Sequence, residues 1–204
     1  MLFRTVSLLI GYGFGMIQVA YILGKIKGID IREHGSGNAG TTNIARVFGT
    51  KAGIFVFVID ILKAVVAFFV AAAIFPAFGV VAGIYAGLGA VLGHCFPFYL
   101  HFKGGKGAAS TVGLVFAVNP FIGATVVAVG ISIVIFTRYV SLASIIVMAI
   151  IPFFLYLYAY PAEVVAVSAF VGAICIYMHR GNIVRLIKGT ERKMFDKSSK
   201  QKES

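Results

Sequence analysis

Residues 52–74, AGIFVFVIDILKAVVAFFVAAAI, form an apolar run interrupted by one acid, Asp60, and one base, Lys63. A helix of about 20 apolar residues crosses a hydrocarbon core of about 30 Å, so the run predicts a transmembrane helix. Asp60 and Lys63 are three residues apart and share a helical face. Ionisable groups at that depth are costly and mark either a buried pair or a site. A mutual pair that braces the helix and direct contact with a substrate both stay open.

The rest of the chain repeats this pattern. It is 60% hydrophobic and 12% charged over 204 residues, with a mean hydropathy of +0.98. Further apolar runs lie near 5–24, 78–100, 121–137, 141–158 and 162–179, with a shorter one at 107–118. At 1.5 Å per residue the short run reaches only about 18 Å, so either the bilayer thins there or the preceding loop dips inward. The net charge of +11 does not point to nucleic acid, because the basic residues cluster at alternate ends of the spans. Lys25, Lys27, Arg32, Arg46, Lys51, Lys103, Lys106, Arg138 and the tail from Arg180 lie on one side. The opposite connectors carry Glu163 and no Lys or Arg, and only Arg4 breaks the asymmetry. The expected fold is an all-α integral membrane protein, a seven-transmembrane-helix bundle with the amino terminus outside and the carboxyl terminus cytoplasmic. Residues 1–191 form one domain, followed by a basic, disordered tail at 192–204. Gly11, Gly13 and Gly15 in the first span let helices approach closely. Cys95 and Cys175 read as two unpaired structural thiols.

Three polar, glycine-bearing segments share the basic side. The first, Gly35 to Arg46, reads GSGNAGTTNIAR. Gly35, Gly37 and Gly40 allow positive φ and close approach of a ligand to the main chain, and such turns aim N–H groups at an anion. Thr41 or Thr42 is expected to cap a helix running through Arg46, whose planar fork suits phosphate. The second, GHCFPFYLHFKGGKGAA from Gly93, places Lys103 and Lys106 around Gly104 and Gly105. It departs from a Walker A loop at Leu100 and lacks Ser or Thr after Lys106. His94 reads equally as a ligand-binding group or an interfacial histidine. The third, HRGNIVRLIKGTE from His179 to Glu191, has helical spacing of Ile183, Leu186 and Ile187. Ser141 and Ser144 open a helix at the same depth.

The acids are too few and scattered for a metal site, so no metal and no cofactor are expected. There is no G-x-S-x-G elbow and no His-x4-Asp dyad. An enzyme acting on phosphorylated substrates, an anion transporter and a scaffold for anionic lipids all fit the residues alone. Short outer connectors poor in polar groups count against the transporter.

The three segments, in this order, resemble the signatures of the bacterial acyl-phosphate:glycerol-3-phosphate acyltransferase family. The resemblance implies that a fatty acyl phosphate and glycerol 3-phosphate are the substrates, giving lysophosphatidic acid and phosphate without a covalent acyl-enzyme. It places the protein, as a monomer among membrane lipids, in the bacterial inner membrane with its site facing the cytoplasm. By residue chemistry and motif position, Ser36, Gly37, Asn38, Gly40, Thr41, Asn43 and Arg46 form one phosphate pocket. Lys106, with Lys103 second and Gly104 and Gly105 beside it, holds the other phosphate. His179, Asn182 and Glu191 orient glycerol 3-phosphate, and Ser144 completes the wall. His179 is the protein candidate for general base, with a substrate phosphate oxygen as the alternative.

Overall fold

The structure is a computed structural model that describes residues 1–194. Its described residues are helical, without strands. The elements are α1 (Leu2–Gly15), α2 (Val19–Ile26), α3 (Thr41–Phe48), α4 (Thr50–Ile74) and α5 (Gly79–Cys95). They continue as α6 (Ala108–Val118), α7 (Pro120–Thr137), α8 (Val140–Leu157), α9 (Ala162–Met178) and α10 (Arg180–Ile187). Five segments are long and apolar enough to cross a membrane, and a sixth qualifies if α9 and α10, bent by 59°, count as one span. The short run is the 11-residue α6, shorter than a crossing requires.

The first span is not one helix. It breaks over Met16–Gln18 into α1 and α2, which frees carbonyls that an unbroken helix would use. The Met16 carbonyl accepts from the Tyr99 hydroxyl at 2.6 Å and the Ile17 carbonyl from Lys63 Nζ at 2.9 Å. The Gln18 side-chain amide donates to the Gly93 and His94 carbonyls at 3.2 and 2.9 Å.

α1 lies against α5 through interleaved small residues. A methyl group on Gly11 or Gly15 would fall 1.8 Å from the Ala86 carbonyl oxygen or 2.2 Å from that of Ala90. On the facing helix, Gly89 and Gly93 meet the backbone of Leu8 and Tyr12 in the same way. Close backbone approach replaces the hydrophobic drive that lipid removes. Gly13 has open space around its Cα and takes no part in this seam. The main core is built by α5, α6, α8 and α9 around Val91, Leu114, Met148 and Ile151. Buried Cys95 and Cys175 are both free, as expected.

The charge exception has a structural answer. Arg4 Nε pairs with Glu163 Oε1 at 2.5 Å, and the Tyr85 hydroxyl donates to the same oxygen at 2.8 Å. The one base and the one acid out of pattern neutralise each other, linking α1, α5 and α9. Of the tail expected from 192, residues 192–194 make contacts. Arg192 donates to the Gly35 carbonyl at 3.4 Å and the Met194 N–H to the Arg138 carbonyl at 2.7 Å. Residues 195–204 lie outside the described residues.

Candidate active site

The first glycine segment is organised by a side chain that does not face the cavity. Asn43, buried on the first turn of α3, accepts from the Ser36 N–H at 2.7 Å and donates to the Ile31 and His34 carbonyls at 3.0 and 2.9 Å. Gly35 (φ 63°) passes so close that a Cβ would meet Asn43 Oδ1 at 2.2 Å. Upstream, the Asp30 carboxylate caps a short 3-10 turn at Ile31–Glu33 and pairs with Arg32 at 2.7 Å. The Arg32 guanidinium holds that carboxyl down at about 2. Arg32 also donates to the Leu100 carbonyl at 3.3 Å, tying this loop to the second segment.

Gly37 has the expected positive φ of 74°, but Gly40 is extended at φ −156°. Gly40 itself is the N-cap of α3, without a side-chain capping bond, so neither Thr41 nor Thr42 caps the helix. Thr41 and Thr42 instead occupy the first turn, where N–H groups lack helical partners. The Thr41 hydroxyl is buried with no hydrogen-bond partner among the described residues.

In the second segment the loop folds back on the end of α5. The Gly104 and Gly105 N–H groups donate to the Cys95 and His94 carbonyls at 3.1 and 3.0 Å, so neither is offered to a ligand. A Cβ on Gly105 would lie 2.0 Å from His94 Nε2, and one on Gly104 2.1 Å from the His94 carbonyl oxygen. These glycines allow packing. Gly107, at φ 83°, then starts α6.

Between these elements lies a cavity of about 700 Å³. One end is polar, with Ser36, Asn38, Thr41, Arg46, Lys106 and His179 among its walls. The other runs between α6, α7 and α8 past Val112, Val127, Ile131, Val134 and Met148. The first turns of both α3 and α6 line it, through Thr41 and Thr42 and through Ala108 and Ala109, and helix N-termini favour anions.

A relay of hydrogen bonds fixes the polar end. Lys106 donates to Asn182 Oδ1. Asn182 Nδ2 and the Ser141 hydroxyl donate to Glu191 Oε1 at 2.7 and 2.8 Å, and Arg185 Nε to Oε2 at 2.7 Å. Burial pushes the Glu191 carboxyl up, but these bonds outweigh it and leave it below its ordinary range. Burial, then the nearby Arg185 and Arg46 charges, bring the Lys106 ammonium down to about 8 against the pull of Glu191. Arg46 is lowered too, first by burial and then by Arg192, and it forms no ion pair among the described residues. Arg46 and Lys106, with Arg185 and Arg192 also in the lining, call for anionic ligands.

His179 sits at the α9–α10 bend. Its Nδ1 is 2.7 Å from the Cys175 carbonyl, which can only accept, so Nδ1 carries the proton and Nε2 keeps a lone pair. Gly40, Asn182 and Glu191 also line the cavity, as does Ser144, whose hydroxyl is turned to the Val140 carbonyl at 3.0 Å.

Five residues assigned from the sequence are redrawn. Lys103 is exposed and outside the lining, and Gly37 does not line it either. Asn43 holds the loop, and Gly104 and Gly105 pack beneath His94. The Asp60–Lys63 pair exists at 2.7 Å, and Lys63 Nζ also lies 2.8 Å from His94 Nδ1. Asp60 and His94, for which the sequence left both a bracing or interfacial role and ligand contact open, both line the cavity. Sequence reasoning missed Arg185 and Arg192, and only their place in or beside the third motif hinted at them.

Comparison with known proteins gives the family and the fold. Residues 5–189 match the family model described as glycerol-3-phosphate acyltransferase. A glycerol-3-phosphate acyltransferase of Aquifex aeolicus (strain VF5) is 40% identical over 184 residues, covering 89% of this chain and 94% of the relative. One from Thermosipho melanesiensis is 44% identical over 189 residues, covering 92% and 90%. The crystal structure of PlsY (YgiH), an integral membrane glycerol 3-phosphate acyltransferase, is similar in its glycerol 3-phosphate form. The TM-score is 0.88 at 38% identity, covering 94% of this chain and 95% of that one. Its lysophosphatidic acid form gives a TM-score of 0.85.

Proposed function

The chain belongs to the glycerol-3-phosphate acyltransferase family, and on that premise we propose that its acyl donor is a fatty acyl phosphate. The acceptor is the 1-hydroxyl of sn-glycerol 3-phosphate. The hydroxyl oxygen attacks the acyl carbonyl, the carbonyl–phosphate bond breaks, and lysophosphatidic acid and inorganic phosphate leave. A mixed anhydride is already activated, so no protein nucleophile and no acyl-enzyme are needed.

The observation that carries this reading is the division of one cavity into a cationic end and an apolar end. It fits a pair of phosphates joined to an acyl chain. Arg46, the first turn of α3, Ser36 and Asn38 hold one phosphate. Lys106, set by Asn182 and Glu191, holds the phosphate that leaves. His179 Nε2 accepts the proton of the attacking hydroxyl. Rate comes from placing hydroxyl and carbonyl together and from donors aimed at the developing negative charge. The charge asymmetry supports seven spans with the amino terminus outside and a site that faces the bacterial cytoplasm; the chain acts as a single-domain monomer on this reading.

The test is incubation of the purified protein in a lipidic membrane mimic with palmitoyl phosphate and glycerol 3-phosphate, without metal or coenzyme A. Equimolar phosphate and lysophosphatidic acid are expected. Product from palmitoyl-coenzyme A and none from palmitoyl phosphate would refute the donor assignment. Near-normal turnover of a His179→Gln variant at saturating substrate would move the base to a substrate phosphate.

A further inference from the structure

The Asp60–Lys63–His94 cluster is buried, ionisable, open to the cavity and so far without a task. Lys63 is fully occupied. Its ammonium has three donors and no acceptor; it donates to the Ile17 carbonyl at 2.9 Å, lies 2.8 Å from His94 Nδ1 and forms an ion pair with Asp60 Oδ1 at 2.7 Å. None is left for a ligand. Asp60 differs: it is 2% exposed and lines the cavity, its Oδ1 is held by the Lys63 ion pair without a hydrogen-bond partner, and no hydrogen bond reaches its Oδ2 among the described residues. Glu191, the other carboxylate of the cavity, has both oxygens engaged by Ser141, Asn182 and Arg185. The acceptors left without a hydrogen bond among the ionisable side chains of the cavity are therefore those of Asp60 and His179 Nε2.

We infer that Asp60 is a specificity-determining residue that accepts a hydrogen bond from the second, non-reacting hydroxyl of the polyol phosphate. This rests on the acyl-transfer reading above, in which His179 takes the reacting hydroxyl. A carboxylate can only accept, so the group opposite it must donate. An ionised fatty acyl phosphate carries no hydroxyl, and glycerol 3-phosphate carries two. A fixed negative charge on α4 also repels phosphate from that wall. The acceptor is thereby oriented, with its phosphate toward Arg46 and a hydroxyl toward α4. The ion pair to Lys63 keeps the carboxylate in place, and Lys63 is held in turn by the break in the first span.

The test compares glycerol 3-phosphate with 3-hydroxypropyl phosphate, which keeps the phosphate and the primary hydroxyl but lacks the second one. Wild-type kcat/KM is expected to be about 10- to 100-fold higher for glycerol 3-phosphate, the size of a hydrogen bond to a charged group. The isosteric Asp60→Asn keeps an acceptor for Lys63 and should lower that ratio severalfold. The double variant Asp60→Leu/Lys63→Met removes both charges and should bring it within about twofold of one. The ratio does not depend on how much enzyme is folded, so a merely structural role would lower both rates and leave it unchanged. An unchanged ratio in both variants overturns the inference. A wild-type ratio near one overturns it too, even where a variant gives no folded protein. No transfer from palmitoyl phosphate to either acceptor by folded wild-type protein would instead sink the acyl-phosphate reading.

Discussion

Gly35 and Gly37 stand at φ 63° and 74°, a region that side chains enter only with strain, whereas Gly104 and Gly105 have ordinary φ and no room for a Cβ. Both loops border the same cavity, and both read as glycine-rich cradles for phosphate. The first uses its glycines to turn the chain around Asn43 and deliver the start of α3 to the cavity. The second spends the Gly104 and Gly105 N–H groups on the end of α5 and offers a ligand the Lys106 ammonium and the first turn of α6. Glycine content therefore marks tight geometry, and only the hydrogen-bond partners show whether that geometry serves a ligand or a neighbouring helix.

The sharpest way to break this comparison is at the lysines. Lys106→Ala should lower kcat/KM by about 10²–10³-fold, the scale for losing a preorganised charge donor, while Lys103→Ala should stay within about twofold. Steady-state kinetics on the two variants decide it, and equal losses would restore the whole loop as a binding cradle.

The glycines give the next contrast. Gly105→Ala puts a methyl group against His94 Nε2 and 2.9 Å from the Ala39 carbonyl oxygen. The displaced loop misplaces Lys106, and a shift of about 1 Å can cost about 100-fold in rate.

The third effect is a pH limb. Lys106 titrates at about 8, so it is cationic below that value and neutral above it. Phosphate attraction is lost as pH rises, and kcat/KM, which reports the free enzyme, should fall about tenfold per unit above it. Lys106→Arg should remove this limb because arginine stays charged. A limb unmoved in that variant would assign it to another group.

The smallest effect belongs to Gly37→Ala. Its nearest obstacle is the Arg32 carbonyl oxygen at 3.2 Å, so the cost is mainly that of a left-handed conformation, about 1–2 kcal/mol. Thermal unfolding should register it while kcat/KM stays within a few-fold.

Much of the bundle was legible in the sequence because lipid imposes a length on apolar segments. The short α6, the Asn119-Pro120 turn and the turn into α10 could all be placed from composition and spacing. The break at Met16–Gln18 could not, because its flanks are as apolar as a continuous helix and the partners of its freed carbonyls, Tyr99 and Lys63, are remote in the chain. Within the site, Arg46, Lys106, His179, Asn182 and Glu191 could be nominated because each lies in a polar motif on the basic side. Asp60 and His94 stayed undecided between structural and ligand-binding roles, since nothing local says that α4 and α5 turn them toward the same cavity.

The chain by itself determined how many apolar segments there are, which ends are basic and which residue types gather on that side. Those properties follow from local composition and from the cost of placing charge in hydrocarbon. The tertiary structure alone decided what each polar group is left to do. Hydrogen-bonding capacity is finite, so a group spent on a neighbour is lost to a ligand. Asn43 spends both amide donors and an acceptor position on its own loop, and Lys63 is taken up by Ile17, His94 and its ion pair with Asp60. Arg46, Thr41 and Asp60 Oδ2 keep theirs for whatever enters the cavity.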